Sequence, residues 1–387
     1  MRVVIAPDSF KGSLDAVRAA DAIASGWRRA RPHDEVITIP LADGGEGTTD
    51  VLRLLHPDAV EHHLTVRGPD DRPVESGWLT LADGTAVVEL ARASGLPLMR
   101  RLDPLSAHTY GLGEVLRAVV AHPSTHRIVV ALGGSASTDG GAGALAALGA
   151  RWLDSDGCEL TGGGDLSRCV RVDPSELVGA PVGGVRLLVD VEAPLLGPLG
   201  AAQQFGPQKG AGPADIAHLE AAMAAIDRVC RVAPSADRRT PAVSALTPGV
   251  GAAGGTAYGL AALWGGTLVA GAPELARLAG LDEVLEGAGL VITGEGRLDE
   301  QSLRGKVVGN VVRQGRAHGI PVQACVGTAD RATADQLERC EQLVALAGGL
   351  DAALDDPARW LELAGEGLAR ARTHRDATDA ASTSGAA

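Results

Sequence analysis

Five short stretches of glycine, acidic and small polar residues each follow an apolar segment of the chain. They lie at residues 6–13, 41–48, 133–141, 190–192 and 294–299. An apolar run followed at once by such a stretch is typical of a buried strand and the loop that leaves it. In a parallel α/β sheet these loops share the carboxyl edge, where the ligands of doubly wound proteins bind. One such loop is as often an ordinary turn or helix cap, but five in one chain favour a functional site.

The residue types in these loops indicate phosphoryl transfer. Backbone amides of a glycine-rich loop that opens a helix can bind phosphate oxygens. Carboxylates such as Asp43, Glu295 and Asp299 can hold Mg²⁺, which prefers oxygen ligands. The chain has three lysines, each beside a glycine: Lys11, Lys209 and Lys306. Lysines in this setting can neutralise charge on a transferred phosphoryl group, although an isolated lysine is usually a solvated surface residue.

Two familiar nucleotide-binding motifs are absent or out of context. The sequence has no G-x-x-x-x-G-K-[ST] phosphate loop. A G-x-G-x-x-G pattern occurs at Gly249, Gly251 and Gly254, but it follows a Ser/Thr/Pro stretch and not a strand. We interpret it as close helix packing or as a loop that lines the active-site cleft. An NAD(P)-dependent oxidoreductase of a small hydroxy acid is therefore an alternative that lacks its fingerprint.

Composition and charge exclude several classes of partner. The chain carries 48 acidic and 35 basic residues, a net charge of −13, which argues against a nucleic-acid-binding surface. No apolar run approaches the ~18 residues of a membrane span, and the N-terminus lacks the apolar core of a signal peptide. The five cysteines form no C-x-x-C pair, which fits a reducing compartment. We expect a cytoplasmic protein without a nucleic-acid or membrane partner, and the sequence leaves its oligomeric state open.

The order of elements predicts an α/β protein. Short Val/Ile/Leu runs alternate with longer Ala/Leu/Arg stretches, which is typical of a parallel sheet with helices on both faces. Segments 63–66, 73–81 and 86–90 instead predict antiparallel strands, and we assign them to a second domain inserted into the first. Segment 234–250, rich in Pro, Arg and Ser, predicts a loop near a domain crossing, and the small, polar tail 373–387 predicts disorder.

Five motifs taken together resemble the bacterial glycerate kinase family. They lie at residues 6–13, 40–48, 133–141, 205–210 and 293–299, and the resemblance runs in the same order from about Met1 to about Arg372. It implies ATP-dependent phosphorylation of D-glycerate to 2-phosphoglycerate, assisted by Mg²⁺, in the cytoplasm. The residues alone leave phosphorylation at the 3-hydroxyl open.

The resemblance also implies a domain organisation. A discontinuous Rossmann-like parallel-sheet domain is expected from residues 1–62 and 285–372, and strands near 127–133 and 186–190 could also belong to it. An inserted mixed α/β domain is expected from residues 63–284. The active site is expected in the cleft between the two domains.

Site residues are assigned on these motifs. The predicted catalytic residues are Asp190, Lys11, Lys306 and Arg297. The predicted substrate- and ATP-binding residues are Asp8, Ser9, Gly12, Ser13, Gly44, Gly45, Gly133, Gly134, Ser135, Thr138, Asp139 and Lys209. The predicted metal ligands are Asp43, Glu46, Glu295 and Asp299, and the alternative for these carboxylates is N-capping of the following helices. We place residues 9–13 at the N-terminus of the first helix, where they would bind the glycerate carboxylate or an ATP phosphate.

Asp190 is the predicted general base because it ends an apolar strand, where its carboxylate would be held firmly. The alternative is that Asp190 holds metal and that Asp8 or Asp43 is the base. The family usually carries an asparagine in the next few residues, whereas this chain has Glu192 and Ala193. We expect Glu192 to face Mg²⁺ or solvent, with solvent preferred.

Overall fold

The computed structural model describes residues 1–233 and 243–384 of the chain, with side chains described as far as Asp376. Its strands are β1 (Arg2–Ile5), β2 (Glu35–Thr38), β3 (Val60–Arg67), β4 (Pro73–Thr80), β5 (Thr85–Glu89), β6 (Arg127–Ala131), β7 (Arg151–Leu153), β8 (Arg171–Asp173), β9 (Val185–Val189), β10 (Thr267–Ala270), β11 (Leu290–Leu298), β12 (Val322–Ala329) and β13 (Arg339–Gln342).

The α-helices run between and after these strands. They are α1 (Ala16–Ala30), α2 (Thr48–Leu55), α3 (Ala91–Ser94), α4 (Tyr110–Ala121), α5 (Ala142–Ala147), α6 (Ala201–Phe205), α7 (Pro213–Val232), α8 (Thr256–Trp264), α9 (Gly271–Leu278), α10 (Leu281–Leu285), α11 (Glu300–Leu303), α12 (Val307–Ala317), α13 (Arg331–Ala334), α14 (Leu343–Ala347), α15 (Leu350–Asp355) and α16 (Pro357–Ser384). No helix in the described part of the chain is long and apolar enough to cross a membrane.

The chain divides into two compact units. The first contains residues 1–43 and the chain from 272 onward, and the second contains residues 44–271. The sequence predicts these boundaries at 62/63 and 284/285. The first boundary lies at 43/44, earlier in the chain than predicted, because α2 packs on β4 and β5 of the second unit.

The first unit is built on a parallel sheet of five strands, in the order β13-β12-β11-β1-β2. The adjacent strands β1 and β11 carry β-branched residues, and their Ile5 and Ile292 are fully buried in a core that includes α1. The predicted parallel sheet is therefore confirmed. Because β11, β1 and β2 are neighbours that run the same way, the loops that leave them meet at one edge of the sheet.

The second unit is built on a mixed sheet of six strands, in the order β10-β9-β6-β5-β4-β3. Four of these, β10, β9, β6 and β5, run parallel to one another, whereas β3 and β4 pair antiparallel. The antiparallel strands predicted from segments 63–90 are confirmed. The strands near 127–133 and 186–190 do not join the first unit's sheet, because β6 pairs with β5 and β9 pairs with β6.

The C-terminal tail differs from its predicted disorder. Helix α16 continues through residues 373–384, and residues 385–387 lie outside the described part. Ion pairs with distant residues stabilise the first residues of this segment as helix. Asp376 pairs with Arg31 at 2.9 Å, and Arg375 pairs with Glu338. Of the predicted loop 234–250, residues 243–250 form turns and bends without a helix or strand, and residues 234–242 also lie outside the described part.

Backbone contact between α1 and α16 gives a direct stability test. A Cβ atom on Gly365 would lie 2.4 Å from the Ile23 carbonyl oxygen, whereas one on Gly367 would meet only the Glu341 side chain, at 3.8 Å. We expect Gly365→Ala to lower the free energy of unfolding by about 1–3 kcal/mol. The matched Gly367→Ala should raise it by up to about 1 kcal/mol through helix propensity. Urea unfolding measures both, and equal effects of the two changes would contradict the described packing.

Candidate active site

Three predicted carboxylates are buried at the carboxyl edge of the first unit's sheet. Asp8 follows β1, Asp43 follows β2 and Glu295 lies within β11, and all three side chains are buried. Backbone hydrogen bonds join these segments, from Asp8 N to the Gly294 carbonyl of β11 (2.8 Å) and from Leu41 N to the Pro7 carbonyl (2.9 Å). Burial first, and then the charge of Asp43, raises the pKa of Asp8 to about 7.

Lys11 supplies positive charge to this acidic cluster. Its Nζ lies 2.8 Å from Asp43 Oδ2, and its side chain is 68% exposed whereas that of Asp43 is 8% exposed. Burial raises the pKa of Glu295, and the charges of Lys306 and Lys11 act in the opposite direction. Glu295 Oε1 is buried and has no hydrogen-bond partner among the described residues. Buried carboxylates with an unpartnered oxygen form an environment that suits a cation.

The metal ligands predicted from the sequence are not assembled as a set. Among the residues that the structure describes, no group of three or more His, Cys, Asp or Glu side chains could hold a metal ion on its own. Asp299 is the N-cap of α11, and its Oδ1 accepts from Gln301 N (3.0 Å) and Ser302 N (3.2 Å). This is the capping alternative stated for these carboxylates. Glu46 belongs to the second unit.

Residues 9–13 do not lie at a helix N-terminus, so the geometry expected for them is wrong. Helix α1 begins at Ala16 and is capped by Asp15, whose carboxylate accepts from Arg18 N. A tight turn between Phe10 and Leu14 comes first, closed by paired backbone hydrogen bonds. Within the turn, Ser13 Oγ donates to the Phe10 carbonyl and Gly12 takes a φ of +81°. Just before it, Ser9 N donates to Asp8 Oδ1 (2.6 Å).

Two further predicted cations lie on the first unit. Arg297, near the end of β11, is 73% exposed and its Nε lies 3.7 Å from Asp299 Oδ2. Lys306 occupies the N-cap position of α12 and is partly exposed. Arg297 lies in β11 two residues after Glu295, and the charge of Lys306 acts on Glu295. Both side chains are at least partly exposed and so accessible to a ligand.

In the second unit, two glycine-rich loops meet in backbone contact at the carboxyl edge of the sheet. A Cβ atom on Gly44 would lie 2.9 Å from Leu188 Cβ, and one on Gly133 would lie 2.5 Å from Gly45 Cα. The Glu46 side chain lies over Gly134, since a Cβ atom there would be 2.6 Å from Glu46 Oε1. Only glycine permits this approach, so the predicted binding residues 44–45 and 133–134 are brought together.

Asp139 accepts hydrogen bonds from protein groups on both carboxylate oxygens. It is fully buried. Its Oδ2 accepts from Thr109 N, Thr109 Oγ1 and Gly143 N at 2.7–3.1 Å, and its Oδ1 accepts from Ser137 Oγ and Gly141 N at 3.1–3.2 Å. One carboxylate thus satisfies amides at the N-termini of both α4 and α5. This arrangement braces the 133–141 loop.

Lys209 also forms hydrogen bonds to the 133–141 loop. Its Nζ donates to Ser135 Oγ (2.9 Å) and to the Ser137 carbonyl. Burial lowers the pKa of Lys209 to about 7, and the charge of Asp139 acts against that shift. Thr138 is fully buried and its Oγ1 has no hydrogen-bond partner among the described residues. Lys209 is therefore an internal contact of the loop and is only 2% exposed.

Asp190 lies directly after β9 and is exposed, as is Glu192. Ala193 is buried, and its carbonyl accepts from Gly251 N at 2.9 Å. A Cβ atom on Gly251 would lie 2.2 Å from the Pro194 carbonyl oxygen, and one on Gly254 would lie 2.1 Å from that of Ser137. The G-x-G-x-x-G segment thus serves close packing, between the loops that follow β6 and β9.

Sequence reasoning missed two residues that hold the loops, Thr109 and Glu89. Thr109 carries no motif, and only the fold brings it to Asp139. Glu89 ends the apolar strand β5, is buried, and accepts hydrogen bonds from Gly47 N (2.9 Å) and Thr49 Oγ1 (2.9 Å). The signal that selected Asp190, a carboxylate that closes an apolar strand, could also have selected Glu89.

The raised pKa of Asp8 predicts how stability depends on pH. Between about pH 4 and pH 7 the native state binds more protons at Asp8 than the unfolded chain, so this group lowers stability as pH rises through that window. Asp8→Asn removes the titration. We expect the Tm of Asp8→Asn, relative to that of the wild type, to rise between about pH 5 and pH 7.5 in chelating buffer. Calorimetry measures both curves, and parallel curves would contradict the assignment.

Comparison with known proteins adds the family. The model of the glycerate kinase family matches residues 3–373. The chain is 38% identical over 333 residues to a glycerate 2-kinase of Escherichia coli K12, covering 85% of each chain. It is also 38% identical over 340 residues to a glycerate kinase of Bacillus subtilis 168, covering 86% of each chain.

A solved structure agrees over nearly the whole chain. The crystal structure of a candidate glycerate kinase 2 from Salmonella typhimurium LT2 matches with a TM-score of 0.81 and 33% identity. The match covers 97% of this chain and 99% of that one. The chain therefore belongs to the glycerate kinase family and is a kinase.

Proposed function

We propose that this kinase transfers the γ-phosphoryl group of ATP to the C2 hydroxyl of D-glycerate, with Mg²⁺, in the cytoplasm. The observation that carries the proposal is the buried cluster of Asp8, Asp43 and Glu295 beside Lys11, at the carboxyl edge of a parallel sheet. Phosphoryl transfer requires this combination of cation-binding carboxylates and accessible positive charge. The name of the Escherichia coli relative supports position 2 of the acceptor.

The carboxylates present fit a divalent cation. Asp43 and Glu295 would hold it, because Glu295 Oε1 is buried without a hydrogen-bond partner in the described part of the chain, and Asp43 already binds a cation, the ammonium group of Lys11. With only two or three protein oxygens, the remaining ligands would be water and phosphate, as is usual for Mg²⁺. When bound, the metal neutralises charge on the phosphates. Asp299 is assigned to capping α11.

The cations and the glycine-rich loops would bind the transferred phosphoryl group and the substrate in different ways. Lys11, Lys306 and Arg297 are accessible on the first unit and would stabilise charge on the transferred group. The turn at residues 9–13 would contact substrate through its backbone, without the helix dipole. In the second unit, residues 44–45 and 133–134 would contact phosphate or glycerate through backbone amides. Asp139 and Lys209 would act through the loop that they hold, with Ser135 and Thr138 as parts of it.

Asp190 is the proposed general base. It stands exposed at the carboxyl end of β9, where its carboxylate can accept the proton of the attacking hydroxyl. Asp8 is the competing candidate, since a pKa of about 7 lies near that of an effective base at neutral pH. The oxidoreductase alternative has no support, because the G-x-G-x-x-G glycines pack against the backbone of Ser137 and Pro194.

The activity test follows ADP release. We expect release to require both D-glycerate and a divalent metal, with little activity on L-glycerate or hydroxypyruvate, and phosphorus NMR should place the phosphate on C2. Because transferred charge must be neutralised, chelator should abolish the reaction and Mg²⁺ restore it. Oxidation of NAD(P)H by hydroxypyruvate without ADP release would contradict the proposal. A product carrying phosphate only on C3 would overturn the position while leaving a kinase.

The base test compares neighbouring carboxylates. Asp190→Asn should lower kcat by about 100-fold or more and change stability by no more than about 1–2 kcal/mol, because the amide is nearly isosteric. Glu192→Gln, on the same exposed segment, is the matched control and should keep kcat within about 2-fold. Wild-type kcat in Asp190→Asn, with a large loss in Asp8→Asn, would move the base to Asp8.

A further inference from the structure

Helix α2 is capped by a carboxylate from a distant strand. Its own N-cap is Gly47, which has a φ of +83° and no side chain to accept a hydrogen bond. Glu89, at the end of β5, takes that place. Its Oε1 accepts from Gly47 N (2.9 Å), and its Oε2 accepts from Thr49 N (3.2 Å) and Thr49 Oγ1 (2.9 Å). Helix N-terminal amides favour an anion at this position.

The loop that this cap fixes has no room to shift. Gly44 and Gly45 precede the capped turn, and Thr48 Oγ1 closes it by donating to the Gly45 carbonyl at 2.8 Å. Gly44 packs on Leu188 and Gly45 packs on Gly133, at distances where a single added methyl group would overlap. A displacement of the start of α2 by about 1 Å would therefore break the backbone contact between the two glycine-rich loops.

We propose that Glu89 is a positioning residue for the kinase reaction: by capping α2 it fixes residues 44–46 at the carboxyl edge of the six-stranded sheet. The proposal rests on the function proposed above. Glu89 is buried and bonded on both oxygens, so it acts through the loop and does not touch substrate. The residues that it places are Gly44, Gly45 and the exposed Glu46.

Glu89→Gln is the direct test. The amide keeps the volume of the side chain, but its NH₂ group cannot accept from Gly47 N or Thr49, so at least one of the three hydrogen bonds is lost. We expect amide exchange in residues 44–52 to accelerate about 10-fold or more. We expect kcat/KM for D-glycerate to fall about 10-fold. The KM for ATP or D-glycerate should rise at least about 3-fold, which a smaller folded fraction cannot produce.

Asp227→Asn is the matched control. Asp227 is a buried carboxylate of the same unit whose oxygens accept from Tyr258 OH (2.7 Å) and Arg231 Nε (2.9 and 3.0 Å). This variant should lose stability but keep both KM values and the exchange rates of residues 44–52. If Asp227→Asn and Glu89→Gln lose activity in proportion to their stability, with unchanged KM, the positioning role is refuted.

Thr49→Val keeps the proposal testable if Glu89→Gln does not fold. It removes one donor to Glu89 at constant volume, and the same KM should rise by a smaller factor, with faster exchange in residues 44–52. Wild-type kinetics and exchange in Thr49→Val would overturn the proposal. Should the wild type fail to phosphorylate D-glycerate, the proposed function fails, while the exchange measurement still decides the capping role of Glu89.

Discussion

The mutual repulsion of buried carboxylates is the constraint on which the candidate active site depends. Three parallel neighbours, β11, β1 and β2, bring Glu295, Asp8 and Asp43 to one edge of a sheet and bury them there. Burial of like charges is costly unless a cation compensates them. The protein supplies Lys11, which bonds Asp43, but burial and Asp43 still raise the pKa of Asp8 to about 7. The edge is therefore suited to receive further positive charge.

The second unit uses buried charge differently. The carboxylates of Asp139 and Glu89 each accept hydrogen bonds at a helix N-terminus. Lys209 donates a hydrogen bond to Ser135 in the 133–141 loop. Each of these groups is satisfied by backbone or hydroxyl partners, so its work is to hold glycine-rich backbone in one shape. Preorganised backbone amides stabilise developing charge more effectively than amides that must reorganise. The motif at residues 41–48 contributes to both units, with Asp43 in the first and Gly44 in the second.

Local patterns predicted the strands and the loops that leave them. Apolar runs before 6–13 and 41–48 form β1 and β2, and the loops that leave these strands share the expected edge. The predicted loop 294–299 is wrong, because β11 continues through pairing with β12 as far as Leu298. Local patterns failed where a distant partner decides. Strand β6 belongs to the second unit because it pairs with β5. Asp139 accepts a hydrogen bond from Thr109, which lies 30 residues earlier in the chain. Helix α1 begins after residues 9–13, because a turn between Phe10 and Leu14 precedes it. The tail is helical where Arg31 bonds Asp376.

We propose that the cluster of Asp8, Asp43 and Glu295 receives a divalent cation during phosphoryl transfer. The most direct measurement is anomalous diffraction from crystals grown with Mn²⁺ and a non-hydrolysable ATP analogue. We expect an anomalous peak within about 2.5 Å of carboxylate oxygens of Asp43 and Glu295, with the remaining ligands from water and phosphate. A peak coordinated by other residues, with Glu295 and Asp43 contacting only lysines, would contradict it.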